Sequence, residues 1–151
     1  MTRILFICHG NICRSPMAQF VLQHMVNERG LSGDFTIDSC AVSREELGNP
    51  VHPGTRRILA QHGIPVPAHR ARQLQRQDYS RYDLLIAMEQ KNLSGIRRIV
   101  GPDIQNKVHL LLCYTRSPGD IADPWYTGDF APTYRDVTAG CQGLLQALGH
   151  I

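Results

Sequence analysis

No apolar run in this chain reaches the ~18 residues that a membrane-spanning helix needs, and a strand pattern begins three residues in, so neither a membrane span nor a secretory leader is expected. There is no basic tail or stripe either. The 16 lysines and arginines stand against 13 acidic residues, for a net charge of +3, and they are scattered, which argues against nucleic acid as a partner. Seven histidines and five cysteines form no cluster with metal-ligand spacing, and no metal or other cofactor is expected. An odd number of cysteines without framework spacing fits a reducing compartment, the cytoplasm, better than a disulfide scaffold. Linkers, internal repeats and low-complexity segments are missing as well. What remains is one domain over residues 1–151, 42% hydrophobic and 19% charged, long enough to bury roughly 70% of its unfolded surface.

Strand and helix patterns alternate along that domain, as in an α/β protein. Residues 4–7 are uniformly apolar, the mark of a buried parallel strand. The spacing predicts a helix from 15 to about 29 with Gly30 as its stop, a strand near 35–40, and a helix opened by Pro53 and ended by Gly63. A third strand is predicted over 83–88, a helix over 90–100, a fourth strand over 108–112, a loop over 113–130 and a last helix from about 132 to 148. Cys40, Cys113 and Cys141 read as core residues. Right-handed crossovers place the strands in one parallel sheet, whose ligands sit at the strands' C-terminal ends.

Cys8 stands at such an end, in the run Ile4-Leu5-Phe6-Ile7-Cys8-His9-Gly10-Asn11-Ile12-Cys13-Arg14-Ser15-Pro16. A cysteine six residues before an arginine is weak evidence by spacing alone, and the context gives it weight. Gly10 and Asn11 tolerate the positive φ of a tight loop, and Ser15-Pro16 reads as an N-cap followed by a first-turn proline. A tight loop running into a helix N-terminus aims several N–H groups at one point and adds the positive end of the helix dipole, which makes an anion cradle. The same field favours a thiolate at Cys8, and Arg14 offers a planar fork for two phosphate oxygens.

The loop over 113–130 carries a second element, Asp123-Pro124-Trp125-Tyr126, on the same edge of the sheet. Displacing an alkoxide or phenoxide from phosphorus requires a proton on the leaving oxygen, and a carboxylic acid opposite the thiolate can supply it. Adjacent aromatics on a polar loop suggest a ligand wall.

Together these residues resemble the low molecular weight protein tyrosine phosphatases, whose signature is a C-x5-R-[ST] loop near the N-terminus and an Asp-Pro near the C-terminus. Asp38-Ser39-Cys40-Ala41-Val42-Ser43, His62-Gly63-Ile64-Pro65, Ala71-Arg72-Gln73 and the stretch from Tyr82-Asp83 to Met88-Glu89 follow the family's order between them. The resemblance implies a four-stranded parallel sheet flanked by helices on both faces, with the phosphate-binding loop after the first strand. It also implies a metal-independent phosphomonoesterase acting on phosphotyrosine in proteins or peptides and releasing phosphate. Cys8 would be the nucleophile, forming a phosphocysteine, and Asp123 the acid and then the base. Arg14 and the loop N–H groups, in the stretch His9, Gly10, Asn11, Ile12 and Cys13, would bind the phosphate. Ser15 would hydrogen-bond the Cys8 sulfur, Ser39 and His69 would buttress Asn11, and Cys13 would form a reversible disulfide with Cys8.

Departures from the family pattern bear on substrate. Glu45 stands where an aromatic wall residue is common, leaving His9, Trp125 and Tyr126 to form the slot, and a carboxylate there suits a cationic or polar flank. Ile12 stands where a phosphoarginine-specific branch has Thr, and so favours phosphotyrosine, with a protein-arginine phosphatase as the alternative. Glu89 in place of Asp reads as a minor packing change. A thioredoxin-linked arsenate reductase on this scaffold would need relay cysteines in the segment 72–92, which has none. A catalytically silent phosphopeptide-binding or redox-sensing module is disfavoured by the presence of nucleophile, arginine and acid together.

Overall fold

The computed structural model describes residues 1–150. Its centre is a four-stranded, wholly parallel sheet in the order β2-β1-β3-β4, made by β1 (Thr2–Cys8), β2 (Phe35–Ala41), β3 (Leu84–Ala87) and β4 (Val108–Leu110). β1 lies between β2 and β3, with Ile7 paired to Cys40 and Ala87. Its residues 4–8 are buried, as the uniform apolar run requires.

Successive side chains of β1 point to opposite faces, and each face has its own core. Ile4, Phe6 and Cys8 pack with Met17, Val21 and Leu22 of α1 (Arg14–Glu28) and with Val137, Cys141 and Leu144 of the last helix. Leu5 and Ile7 pack with Leu85, Ala87, Ile96 and Val100 on the other face. Between these strands and helices run α2 (Pro53–Gln61), α3 (Asp78–Arg81), α4 (Gln90–Val100), α5 (Pro124–Thr127) and finally α6 (Phe130–Ala147). Among the described residues no helix is long and apolar enough to cross a membrane.

Several element boundaries differ from the sequence expectations, each for a local reason. Helix α1 begins at Arg14 with Cys13 in the cap position, so Ser15 is not the N-cap; its hydroxyl is drawn to Cys8 and Asn11 instead. The fourth strand stops at Leu110 and the chain tightens into a 3₁₀ turn, Leu111–Tyr114. That turn buries Leu111 and Leu112 but directs Cys113 outward, so Cys113 is exposed and not a core residue, whereas Cys40 and Cys141 are fully buried. The last helix starts two residues early, at Phe130, because Asp129 accepts the Ala131 N–H as its cap. Helices α3 and α5, four residues each, are too short to leave a periodic trace.

Candidate active site

The loop from Cys8 to Arg14 leaves the C-terminal end of β1 and folds under the start of α1. Asn11 takes φ 61°, the left-handed turn expected of it, and is fully buried. Its side chain spends every hydrogen-bonding site it has. Nδ2 donates to Ser15 Oγ at 2.8 Å and to Ser39 Oγ at 2.9 Å, while Oδ1 accepts from the Arg72 N–H at 3.2 Å and lies 3.0 Å from His69 Nε2.

Directions follow from proton counting. Ser39 Oγ donates to Gln19 Oε1 at 2.6 Å, so it has only lone pairs to offer Asn11 and His69. Asn11 Oδ1 is likewise an acceptor. His69 therefore carries its proton on Nε2, an assignment made from the network. Burial first, then Arg72, lowers the His69 pKa against the opposing pull of Asp38.

Two groups converge on the Cys8 sulfur: the Asn11 N–H donates at 3.3 Å, and the Ser15 hydroxyl at 3.0 Å donates when the sulfur is a thiolate, turning from its other acceptor, the Cys40 carbonyl at 3.4 Å. Both bonds strengthen when the acceptor is an anion. Burial, with added repulsion from Cys8 and Asp123, pushes the Cys13 thiol up to about 12. Both thiols are free.

Arg14 is 1% exposed, and its guanidinium makes three hydrogen bonds. Nη1 donates to Glu89 Oε2 at 2.7 Å and to the Ile121 carbonyl at 3.0 Å, and Nη2 donates to Asp123 Oδ2 at 3.2 Å. Burial alone would lower its pKa, but the negative charge of Cys8, Glu89 and Asp123 outweighs that and leaves it raised. Glu89 thus does more than fill space: it holds one arm of the buried fork and leaves the other turned to Asp123. Reading Glu89 as a packing change missed this, and the available signal was its place two residues past Ala87, at the end of the strand beside Cys8's own.

Asp123 caps α5, its Oδ1 accepting the Trp125 N–H at 3.1 Å. Cys8, His9, Gly10, Ile12, Cys13 and Arg14 share one pocket with Asp123, Trp125, Tyr126, Glu45 and Glu46. Of the sequence-derived candidates, only Asn11, Ser15, Ser39 and His69 do not line it: Asn11 belongs to the loop, and the other three are hydrogen-bonded to its side chain. At the mouth Glu45 Oε2 is 2.9 Å from His9 Nε2, across from the exposed rings of Trp125 and Tyr126. A buried cation, a sulfur with two donors and a carboxylate at one pocket floor can bind a phosphate and exchange both electron pair and proton with it.

Comparison with known proteins converges on the same chemistry. The family model for low molecular weight phosphotyrosine protein phosphatases matches residues 3–150. The low molecular weight protein-tyrosine-phosphatase YfkJ of Bacillus subtilis is 36% identical over 150 residues, covering 98% of this chain and 96% of that one. Its crystal structure superposes with a TM-score of 0.95 over 99% of this chain and 95% of that one. The human low molecular weight phosphotyrosine protein phosphatase is 32% identical over 148 residues, 95% of this chain and 93% of the human one. A drosophila arginine phosphatase, 29% identical, shares the fold with a TM-score of 0.86 over 98% of each chain.

Proposed function

The chain belongs to the low molecular weight phosphotyrosine protein phosphatases, and from that premise we propose that Cys8, Arg14 and Asp123 carry the hydrolysis of phosphotyrosine in protein substrates. The observation that carries this reading is the meeting of Asp123, from a loop more than a hundred residues away, with Arg14 at 3.2 Å over the pocket that Cys8 floors. A bound phosphate takes the Arg14 edge that Asp123 now occupies, together with the loop N–H groups, and the displaced carboxyl faces the leaving oxygen. Cys8 Sγ attacks phosphorus in line as Asp123 gives its proton to the departing phenoxide, leaving a phosphocysteine. Asp123, now a carboxylate, takes a proton from water as that water attacks phosphorus, and Cys8 leaves as a thiolate steadied by Ser15 and the Asn11 N–H. No step asks for a metal.

The substrate's ring fits between His9 on one side and Trp125 and Tyr126 on the other, with Glu45 at the rim. Phosphoarginine is the second reading, favoured by the carboxylates of Glu45 and Glu46 at the mouth and opposed by the apolar Ile12 within it. The loop cysteines support one more proposal: peroxide oxidises Cys8 and Cys13 to a disulfide that a thiol reductant reopens, switching activity off reversibly.

The test is a panel of phosphotyrosine, phosphoarginine and phosphoserine peptides, with arsenate plus thioredoxin as a further arm, on wild type and Cys8→Ser. Phosphotyrosine turnover that falls roughly 10⁴-fold or more in Cys8→Ser is expected, the scale on which loss of a covalent nucleophile is felt. Undiminished turnover by Cys8→Ser would falsify the mechanism, and a preference for phosphoarginine would move the substrate assignment.

A further inference from the structure

Asp123 follows an anchored stretch, with Ile121 fully buried and its N–H bonded to the Met88 carbonyl at 2.9 Å, and precedes the exposed Trp125 and Tyr126, which have less to hold them. Asp123 caps a helix of only four residues; its Oδ2 takes Arg14 and its Oδ1 takes the Trp125 N–H, so the backbone position of Trp125 helps set where the carboxyl points and is the hold that remains when phosphate takes the Arg14 edge. Trp125 is 57% exposed, and the ring it meets is that of His52, edge-on at 5.9 Å and 81°.

His52 is itself gripped from three directions. Its N–H donates to the Ile12 carbonyl of the phosphate loop at 2.8 Å. Its Nδ1 accepts the Gly54 N–H at 2.9 Å, closing the N-terminus of α2. Its ring stacks on Phe130 at 5.2 Å and 26°. Phe130 packs against Ile12, Cys13 and Ala71, and it can do so only beside a glycine, because a Cβ on Gly54 would run into its ring. The accepting Nδ1 also fixes the ring's flip: turned over, a carbon would face the Gly54 N–H and leave that donor unpaired.

We propose that His52 is a positioning residue for the acid: its backbone grips the phosphate loop, its ring holds Trp125, and through Trp125 it sets Asp123 over the pocket. The proposal rests on the assignment of Asp123 as general acid. It separates two properties of one side chain. The acceptor nitrogen caps α2, which is a matter of stability; the ring face toward Trp125 positions the acid, which is a matter of proton transfer. A residue that merely capped α2 would affect only the first.

Two variants divide these properties. His52→Asn keeps a capping acceptor and removes the ring, whereas His52→Phe keeps a ring and removes the cap. The readout is kcat/KM for phenyl phosphate, whose leaving oxygen needs the proton, against p-nitrophenyl phosphate, whose leaving oxygen needs it less. His52→Asn is expected to lower the phenyl phosphate value about ten-fold more than the p-nitrophenyl value, since a displaced acid is felt where the proton matters. His52→Phe is expected to leave that ratio within about two-fold of wild type, as an acid still in place requires.

Trp125 is the chain's single tryptophan, so its fluorescence reports the same contact without any substrate. Acrylamide should quench it more readily in His52→Asn and not in His52→Phe. A wild-type ester ratio with unchanged quenching in His52→Asn overturns the proposal, as does a shift in His52→Phe alone. If His52→Phe does not fold, the two His52→Asn readings decide by themselves. Equal losses on the two esters in Asp123→Asn would overturn the assignment of Asp123 instead, and the quenching result would still show whether the ring holds Trp125.

Discussion

Asn11 and Gly128 both carry the backbone into the left-handed region, at φ 61° and 73°, in the two loops that meet over the pocket. Around Asn11 nothing is left free: the residue is fully buried, its side chain reaches Ser15, Ser39, His69 and Arg72, and the helix it leads into is 15 residues long. Around Gly128 the opposite holds. It closes a four-residue helix, a Cβ there would meet nothing within 4 Å, and Trp125 and Tyr126 beside it are exposed. The difference matches what each loop has to do. A cradle for the charge that develops on phosphorus works best when its donors are aimed beforehand and cannot relax. An acid that must give up Arg14 to incoming phosphate, protonate an oxygen and later deprotonate water has to change partners, and an overdetermined loop would forbid it.

The sharpest way to break this comparison is to remove the chemistry of the looser loop while leaving its architecture. In Asp123→Asn the amide oxygen can still accept the Trp125 N–H, so the fold should survive intact in a urea titration. The transferable proton is gone, and kcat/KM should fall roughly 10²- to 10³-fold for phenyl phosphate and much less for p-nitrophenyl phosphate. Equal losses on both esters would mean that Asp123 serves only to hold Arg14.

How legible each loop is in the sequence follows the same division. The cradle is contiguous from Cys8 to Ser15, so strand, turn residues, nucleophile and arginine could be read from one run of letters, and so could the parallel sheet from the apolar residues 4–7 and their spaced successors. The acid's identity was readable from Asp123-Pro124 and its neighbouring rings, but its supports were not. Glu89 meets Arg14 across 75 positions, and His52 meets Trp125 across more than seventy, through contacts that no local periodicity encodes. Ser15 misled in a different way. A serine before a proline has the form of an N-cap, and only the nearby sulfur and Asn11 amide show why its hydroxyl turns inward. Cys113 misled because a free cysteine is usually buried, and the 3₁₀ turn that follows Leu110 turns this one outward.

A matched pair of alanine substitutions sharpens the contrast in stability. Asn11→Ala removes one partner from each of four groups, leaves the Arg72 N–H without an acceptor, and puts a Cβ-bearing residue without a helpful side chain at positive φ, so a loss of about 2–4 kcal/mol is expected. Gly128→Ala meets open space and should lose only the left-handed penalty, about 1 kcal/mol. Urea midpoints for the two variants against wild type check the order. If Gly128→Ala proved the more damaging, the acid loop would be the more constrained of the two.

The smallest expected effect comes from behind the cradle and has a sign that distinguishes it from ordinary acid denaturation. His69 is held neutral by burial, with its Nε2 proton spent on Asn11 and Ser39 and the edge of Phe20 against its ring. Its Nε2–H survives protonation, so what opposes a second proton is the poor solvation of the cation, not the loss of those bonds. Since its folded pKa lies below the unfolded value, the unfolded chain binds the extra proton first as pH falls. The contribution of His69 is therefore complete above about 6.5, the ordinary histidine value, and declines below it until the folded form is protonated too. The depressed carboxyls of Asp83 and Asp103, each held down by hydrogen bonds, act only at lower pH, through and below the ordinary carboxylate range. Urea midpoints followed from pH 8 downward should thus begin to drop in the histidine range, before any carboxylate titrates. In His69→Gln, where the amide can still donate to Asn11, that early drop should shrink while the later one remains. An early drop as large in His69→Gln as in wild type would assign it to one of the other histidines, and the rigidity of the cradle would then owe nothing to the neutrality of the ring behind it.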